Sequence, residues 1–339
     1  MRAKATAHAV ADLAKVSQSA VSRTFTPGAS VSEDTRARVL AAAKALGYRP
    51  NALARSLITR RSQIIALVMG YLENQFYPLV IEKLSQKLQK QGYHVLMFIT
   101  GSEDADGALS EILQYQVDAV VMASAMLSQD LARRCADMGV PVVMFNRVPQ
   151  VSASGERGTS SVTSDNYRGG RMAAELLLAR GYRRIAFVAG LENSSTNQER
   201  ERGFRAALAD AGIAAFDRAV GHYDFDRAQE ATRGLFARHE KPDALFVAND
   251  HMAIAALDVL RQELRLNVPE DVGVIGFDDV PQAAWGAYRL TTVVQSVEDM
   301  VEATVVLLHE QMRDDSTPRQ AVIPCRIVER STVRSAPPH

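Results

Sequence analysis

The 339-residue sequence predicts an α/β protein in two parts: a small all-helical head, then a larger body of parallel sheets covered by helices. Three observations predict this. Apolar residues recur at helical spacing through residues 6–47, with cap-forming residues at each break. From Ile64 onward, continuous apolar runs alternate with helical stretches, which is the pattern of strands buried on both faces. Charge is divided in the same way. Residues 1–61 hold 11 Lys/Arg against 3 acids, a net +8, and residues 62–339 carry a compensating −8. A basic head on an acidic body points to an anionic partner for the head alone.

The head divides into three short helices. The first runs from Thr6 to Ala14, capped by Thr6, with Val10, Leu13 and Ala14 at i, i+3, i+4. Lys15-Val16-Ser17 forms a turn, and Ser17 can cap a second helix that turns Ala20, Val21 and Phe25 inward. Gln18, Ser19, Ser22 and Arg23 are left on the other face. After Pro27-Gly28, Ser32 starts a third helix with Val39, Leu40, Ala43 and Leu46 inward, ended by Gly47 in a left-handed cap. Residues 1–50 are thus read as a helix-turn-helix domain, and 51–62 as a hinge helix or linker too short to be stable alone.

Residues 63–339 form the body. Strands are expected at Ile64–Met69, Tyr93–Phe98, Ala119–Met122, Pro141–Phe145, Ile185–Val188, Ala244–Val247 and Val272–Phe277. The series breaks near 146–164, around the polar run 152–158, which separates two similar lobes. The segment Ala321–Arg330 closes the second lobe or crosses back.

Composition is that of an ordinary globular chain, 47% hydrophobic and 23% charged. Cys135 and Cys325 lie far apart, and neither they nor the seven histidines show metal spacing. No metal, cofactor or disulfide framework is expected. The N-terminal residues Met1–Thr6 lack an apolar signal core and no run reaches membrane-spanning length, so a cytoplasmic location is expected and an exported solute-binding module is disfavoured. No dinucleotide fingerprint, phosphate loop or nucleophile elbow occurs, so an enzyme reading has no residues to rest on.

A helix-turn-helix sets its second helix in the major groove of double-stranded DNA, with the N-terminal side chains on base edges. Gln18 can bond an adenine edge in bidentate fashion, Ser19 is permissive, and Arg23 can reach guanine or phosphate. Thr6, Ser22, Ser32 and Asn51 suit phosphate oxygens. A plain capping role stays equally open for Ser17, Ser22 and Ser32. In the hinge, Leu57 can enter the minor groove between base steps, or pack on the body. In the body, Asn146, Asn249 and Asp278 follow predicted strands, where ligands of open parallel sheets bind. Asn249-Asp250 also fits a helix cap, and Phe76 also fits the core.

Val16-Ser17-Gln18-Ser19-Ala20-Val21-Ser22-Arg23 resembles the G-V-S-x-x-T-V-S-R pattern of the lactose/galactose repressor family. Gly47-Tyr48-Arg49-Pro50-Asn51-Ala52-Leu53-Ala54-Arg55-Ser56-Leu57 is similar to its hinge, and Val328-Glu329-Arg330-Ser331-Thr332 to its C-terminal segment, so the resemblance spans the chain. It departs at Lys15, Ala20 and Thr26, where relatives usually carry Gly, Thr and Asn, and at Ile58, where they often carry a basic residue. The resemblance implies a homodimer on a near-palindromic operator, with a sugar, sugar acid or nucleobase held between the lobes of a periplasmic-binding-protein-like body. It adds Tyr48 and Ala54 to the DNA contacts. It assigns effector contacts to Phe76, Tyr77, Asn146, Arg147, Thr196, Arg200, Phe225, Asn249, Asp278 and Gln295.

Overall fold

The computed structural model describes residues 5–26, 28–49, 61–70, 72–100, 105–123, 134–148, 159–313 and 317–336. The chain divides into two compact units, Met1–Ser62 and Gln63–His339. The hinge positions Asn51, Ala54 and Leu57 lie outside the described residues.

The first unit holds α1 (Ala7–Ala14), α2 (Gln18–Thr24) and α3 (Glu33–Leu46). Each starts on a hydroxyl that accepts a backbone N–H three residues on: Thr6 from Ala9, Ser17 from Ala20, Ser32 from Thr35. Gly47 ends α3 at φ 65°, and Lys15 ends α1 in the same left-handed conformation at φ 51°. The core is small: Val10, Ala11, Ala14, Val21, Val39, Ala42 and Ala43, flanked by Val16, Phe25 and Tyr48. Three leucines expected inside are not there. Leu13, Leu40 and Leu46 are exposed, at 54%, 47% and 39%. Three short helices cover only one stripe of each other. Alanines let the backbones approach on that stripe, while Leu13 and Leu40 project away from it and Leu46 sits at a helix end.

The second unit contains two six-stranded sheets. In lobe 1 the strands are β1 (Ile64–Met69), β2 (His94–Ile99), β3 (Ala119–Ala123), β4 (Val142–Phe145), β5 (Ser160–Ser164) and β11 (Gln320–Ile323), in the order β11-β5-β4-β3-β1-β2, all parallel. In lobe 2 they are β6 (Ile185–Ala189), β7 (Asp217–Val220), β8 (Ala244–Val247), β9 (Gly273–Asp278), β10 (Thr291–Val294) and β12 (Arg326–Val328), in the order β12-β10-β9-β8-β6-β7. Only β12 runs antiparallel, against β10. Helices α4 (Phe76–Lys90) and α5 (Ala105–Ile112) belong to lobe 1, and α6 (Asn166–Ala179), α7 (Ser195–Asp210), α8 (Phe225–Phe236) and α9 (Asp250–Asp258) to lobe 2. Helix α10 (Val297–Gln311) follows a lobe 2 strand but packs on α4, β4 and β5 of lobe 1.

Strand β1 shows why the apolar runs are unbroken. Ile65, Leu67 and Met69 enter one core cluster, and Ala66 and Val68 enter another on the opposite face. The chain passes between lobes three times, after Ser164, after Val294 and after Ile323. The segment expected as one terminal strand is two, split at Pro324-Cys325 and shared between the sheets, so it both closes lobe 2 and crosses back. Strand β5, Ser-Ser-Val-Thr-Ser, was not expected at all. It is polar in sequence yet fully buried, and Ser160 Oγ accepts from the Arg319 N–H.

Candidate functional site

A cavity opens between the lobes at the carboxyl ends of their strands. Lobe 1 contributes Asn74 and Tyr77 after β1, and Asn146 and Arg147 after β4. Lobe 2 contributes Thr196 and Arg200 on α7 after β6, Tyr223 after β7, Asn249 after β8 and Asp278 at the end of β9. This is where a parallel sheet leaves its loops free to converge. The two walls bond each other directly. Asn74 Nδ2 donates to Asp278 Oδ2 at 3.0 Å, Arg147 Nη1 donates to Thr196 Oγ1 at 3.1 Å, and the Val148 N–H donates to Ser195 Oγ at 3.1 Å.

Backbone strain gathers at this cavity. Asn146, Tyr223 and Asp278 have φ of 56°, 61° and 125°. These left-handed conformations cost L-residues of the order of 1–3 kcal/mol and cluster at functional sites. Gly190 makes room for Tyr223, since a Cβ there would stand 2.1 Å from the tyrosine ring. Helices α6 and α7 touch backbone to backbone for a similar reason. A Cβ on Gly170 would meet the Arg200 carbonyl oxygen at 2.0 Å, and one on Gly203 the Tyr167 carbonyl oxygen at 1.9 Å.

Arg200 is buried and tightly held. Its Nε donates to Asn166 Oδ1 at 2.8 Å, its Nη1 donates to the Ala248 carbonyl, and its guanidinium lies 3.6 Å from the centre of the Phe277 ring. The same Nη1 is 3.7 Å from Asp278 Oδ1. Burial raises the Asp278 carboxyl above its ordinary range, while Arg200 and the hydrogen bonds from Asn74 and Gln295 oppose the shift. Behind it, Asp250 is held well above the ordinary range by burial and then by the neighbouring Asp278 charge. Its oxygens accept from the Thr292 hydroxyl at 2.6 Å and the Val280 N–H at 3.0 Å.

Two buried atoms in the cavity wall have no hydrogen-bond partner: Asn146 Oδ1 from lobe 1 and Asn249 Nδ2 from lobe 2. Asn249 caps α9, its Oδ1 accepting from the Met252 N–H at 3.0 Å, which fixes the orientation of the amide. Buried unpaired groups cost about 1–3 kcal/mol each and call for an explanation.

In the first unit, Gln18, Ser19, Ser22 and Arg23 are all exposed on α2, as are the capping hydroxyl residues Thr6, Ser17 and Ser32. Arg36 Nη1 donates to the Thr24 carbonyl at 3.1 Å, holding the end of α2 against α3. Tyr48 packs its ring 5.9 Å from Phe25.

Residues 6–51 match the family described as bacterial regulatory proteins, lacI family, and residues 174–333 match a periplasmic binding protein-like domain. The HTH-type transcriptional regulator CelR of Thermobifida fusca is 36% identical over 325 residues, covering 93% of this chain and 94% of that protein. The chain belongs to the LacI family. The sucrose operon repressor of Streptococcus mutans is 31% identical across 96% of this LacI-family chain and 98% of its own length. Among solved structures, a CelR–cellobiose complex is similar at TM-score 0.73 and 31% identity, over 97% of this chain and 100% of that one. The lac repressor dimer bound to operator and the anti-inducer ONPF is similar at TM-score 0.87 and 25% identity, over 98% and 100%.

Seven of the ten effector positions expected from sequence meet in the cavity of this LacI-family chain: Tyr77, Asn146, Arg147, Thr196, Arg200, Asn249 and Asp278. Three do not line it. Phe76 is core, packed on Phe145 at 6.3 Å, because it faces the sheet from the first turn of α4. Phe225 packs its ring 5.6 Å from His251, since Tyr223, two residues earlier, takes the place beside the cavity. Gln295 stands behind the wall, in the second passage between lobes. Its Nε2 donates to Asp278 Oδ1 at 2.6 Å, and its Oε1 accepts from the Ser164 hydroxyl at 2.8 Å. Asn74 and Tyr223 were missed. Asn74 follows β1, so the strand-end rule applied to that expected strand would have found it; Tyr223 follows β7, which was not among the expected strands.

Proposed function

We propose that this chain is a sequence-specific DNA-binding repressor that responds to a small polar metabolite held between its lobes. In this reading α2 reads the operator through Gln18, Ser19, Ser22 and Arg23, and hinge residues Asn51, Ala54 and Leu57 complete the contact. Thr6, Ser17, Ser32 and Tyr48 position that surface. The protein works in the cytoplasm as a homodimer on a near-palindromic operator, as a regulator rather than an enzyme. The dimer is supported by an apolar sheet edge: on the edge strand β2, Met97 is 44% exposed and Ile99 is 58% exposed. Among the described residues, no helix is long and apolar enough to cross a membrane.

The observation that carries the reading is the polar seam between the lobes. Its hydrogen bonds join residues on opposite walls, so a ligand that replaces them changes how the lobes meet. The hinge leads directly into β1 at Ile64, which gives the change a covalent route to the DNA-binding unit.

The test selects a duplex from a random library with the full-length chain and measures its affinity by fluorescence anisotropy. Affinity is expected to fall by about 10³-fold or more between 50 and 200 mM salt. Gln18→Ala is expected to relax base preference while keeping most of the salt dependence. Selection that enriches no sequence overturns the proposal.

A further inference from the structure

Resting on the DNA-binding reading, we infer that Lys15, in the turn between α1 and α2, contacts a backbone phosphate and sets the register of α2 in the groove. The turn is built at a cost. Lys15 ends α1 in the left-handed region, at φ 51° and ψ 50°, where its N–H closes the helix on the Ala11 and Asp12 carbonyls. In that region a Cβ crowds the backbone, and glycine makes the same cap without the crowding. The lysine side chain recovers nothing inside the protein. It is exposed, and among the described residues it makes no hydrogen bond or ion pair. Asp12, three residues earlier, lies beside His8 instead, 3.7 Å away. Other cations of the unit are engaged locally: Arg36 on the Thr24 carbonyl, Arg38 on Asp34 at 3.1 Å, and Arg23 Nε on the Ser19 carbonyl at 3.5 Å. Strained residues gather where function selects them. A charged side chain at such a position, with no internal partner, points to an anion outside the chain.

The arrangement of the helices names that anion. In a helix-turn-helix the first helix crosses the sugar-phosphate backbone and the second lies in the major groove. The turn that joins them therefore passes over the phosphates at the groove edge. Lys15 stands in that turn, two residues before Ser17, whose hydroxyl accepts from the Ala20 N–H at 3.2 Å, and three before Gln18, the first residue of α2. Its ammonium is a compact point charge on a flexible four-carbon stem, which suits a phosphate oxygen better than the planar edge of a base. A contact of this kind carries no sequence information; it holds the protein in place while α2 reads.

The test compares the full-length parent with Lys15→Gln, Lys15→Gly and Lys15→Arg, on the duplex enriched by selection and on a random duplex. Affinity is measured by fluorescence anisotropy from about 50 to about 200 mM salt. Each phosphate neutralised adds about 0.9 to the slope of log affinity against log salt. A dimer loses two such contacts, so the glutamine and glycine variants are expected to have slopes shallower by about 1.8, with binding about tenfold weaker or more at 100 mM salt. The loss is expected to be the same factor on both duplexes, and Lys15→Arg is expected to keep the parent slope. Lys15→Gly separates the contact from folding, because it removes the strain together with the charge. A head at least as stable as the parent, read by amide exchange in α1 and α2, that still binds DNA less tightly excludes unfolding as the cause. A slope within about 0.5 of the parent in either the glutamine or the glycine variant overturns the inference. So does an arginine variant as shallow as they are, or a loss confined to the selected duplex, which marks a base contact. If selection enriches no sequence, the regulator reading fails, while the slope on the random duplex still decides whether Lys15 touches phosphate.

Discussion

Asn74 Nδ2 donates to Asp278 Oδ2 at 3.0 Å, a bond between residues 204 positions apart that ties the loop after β1 to the end of β9. It continues inward. Asp278 Oδ1 accepts from Gln295, which accepts from Ser164, so the latch across the cleft is wired to two of the three passages between lobes. Replacing Asn74 by Ala removes a donor from a buried carboxylate. The ligand-free body is expected to lose about 1.5–3 kcal/mol in urea unfolding, the usual size of a hydrogen bond to a charged group. A loss below about 0.5 kcal/mol means that water takes over the contact.

Asp250 gives the body a pH dependence of known sign. Its folded carboxyl titrates well above the ordinary range, pushed up by burial and by Asp278. Its stabilising contribution is complete below the unfolded carboxylate pKa, near 4, and is lost as pH rises through the elevated folded value. Asp250→Asn keeps the shape with nothing to ionise: its amide oxygen can accept from the Val280 N–H, while its Nδ2 meets the Thr292 hydroxyl as a donor where the carboxyl oxygen accepted. Urea midpoints at pH 5 and pH 8 are expected to fall with pH in the parent and to fall less in the variant. Equal slopes exclude Asp250 as the source.

Gly203 lets α7 lie against α6, with Arg200 one turn away on the same helix. Gly203→Ala places a methyl 1.9 Å from the Tyr167 carbonyl oxygen, a backbone atom that cannot step aside. A loss of about 1–3 kcal/mol is expected from overpacking, together with weaker effector binding as Arg200 shifts. A variant as stable as the parent shows that the helices slide apart freely.

Lys15 occupies a left-handed cap at φ 51° where a glycine costs less. Lys15→Gly is expected to stabilise the DNA-binding unit by about 1 kcal/mol, read as slower amide exchange in α1 and α2. Faster exchange in those helices rules out strain at this cap.

Fold and site were legible in sequence to different depths. The apolar runs announced the central strands because these are buried on both faces, as Ile65 and Ala66 of β1 show by entering different cores. Strand β5 was hidden because its burial is met by hydroxyl hydrogen bonds rather than by apolar side chains. Leu13, Leu40 and Leu46 misled because hydrophobicity alone does not say which stripe of a short helix finds a neighbour. In the cleft, strand ends pointed to Asn146, Asn249 and Asp278. The choice between Tyr223 and Phe225, two residues apart, depends on how a loop turns after β7, and periodicity does not report that.

The three passages between the lobes also set a timetable for synthesis. Lobe 1 takes its first strands from residues 64–164 but its helix α10 and edge strand β11 from residues 297–323. Until that late segment leaves the ribosome, β5 has an open flank and α4 lacks the helix that packs on it. Lobe 2, apart from its last strand, is contiguous and can settle first. The lobe begun earliest therefore waits for residues 297–323 before it is whole, and a chain cut short before residue 297 leaves lobe 1 incomplete.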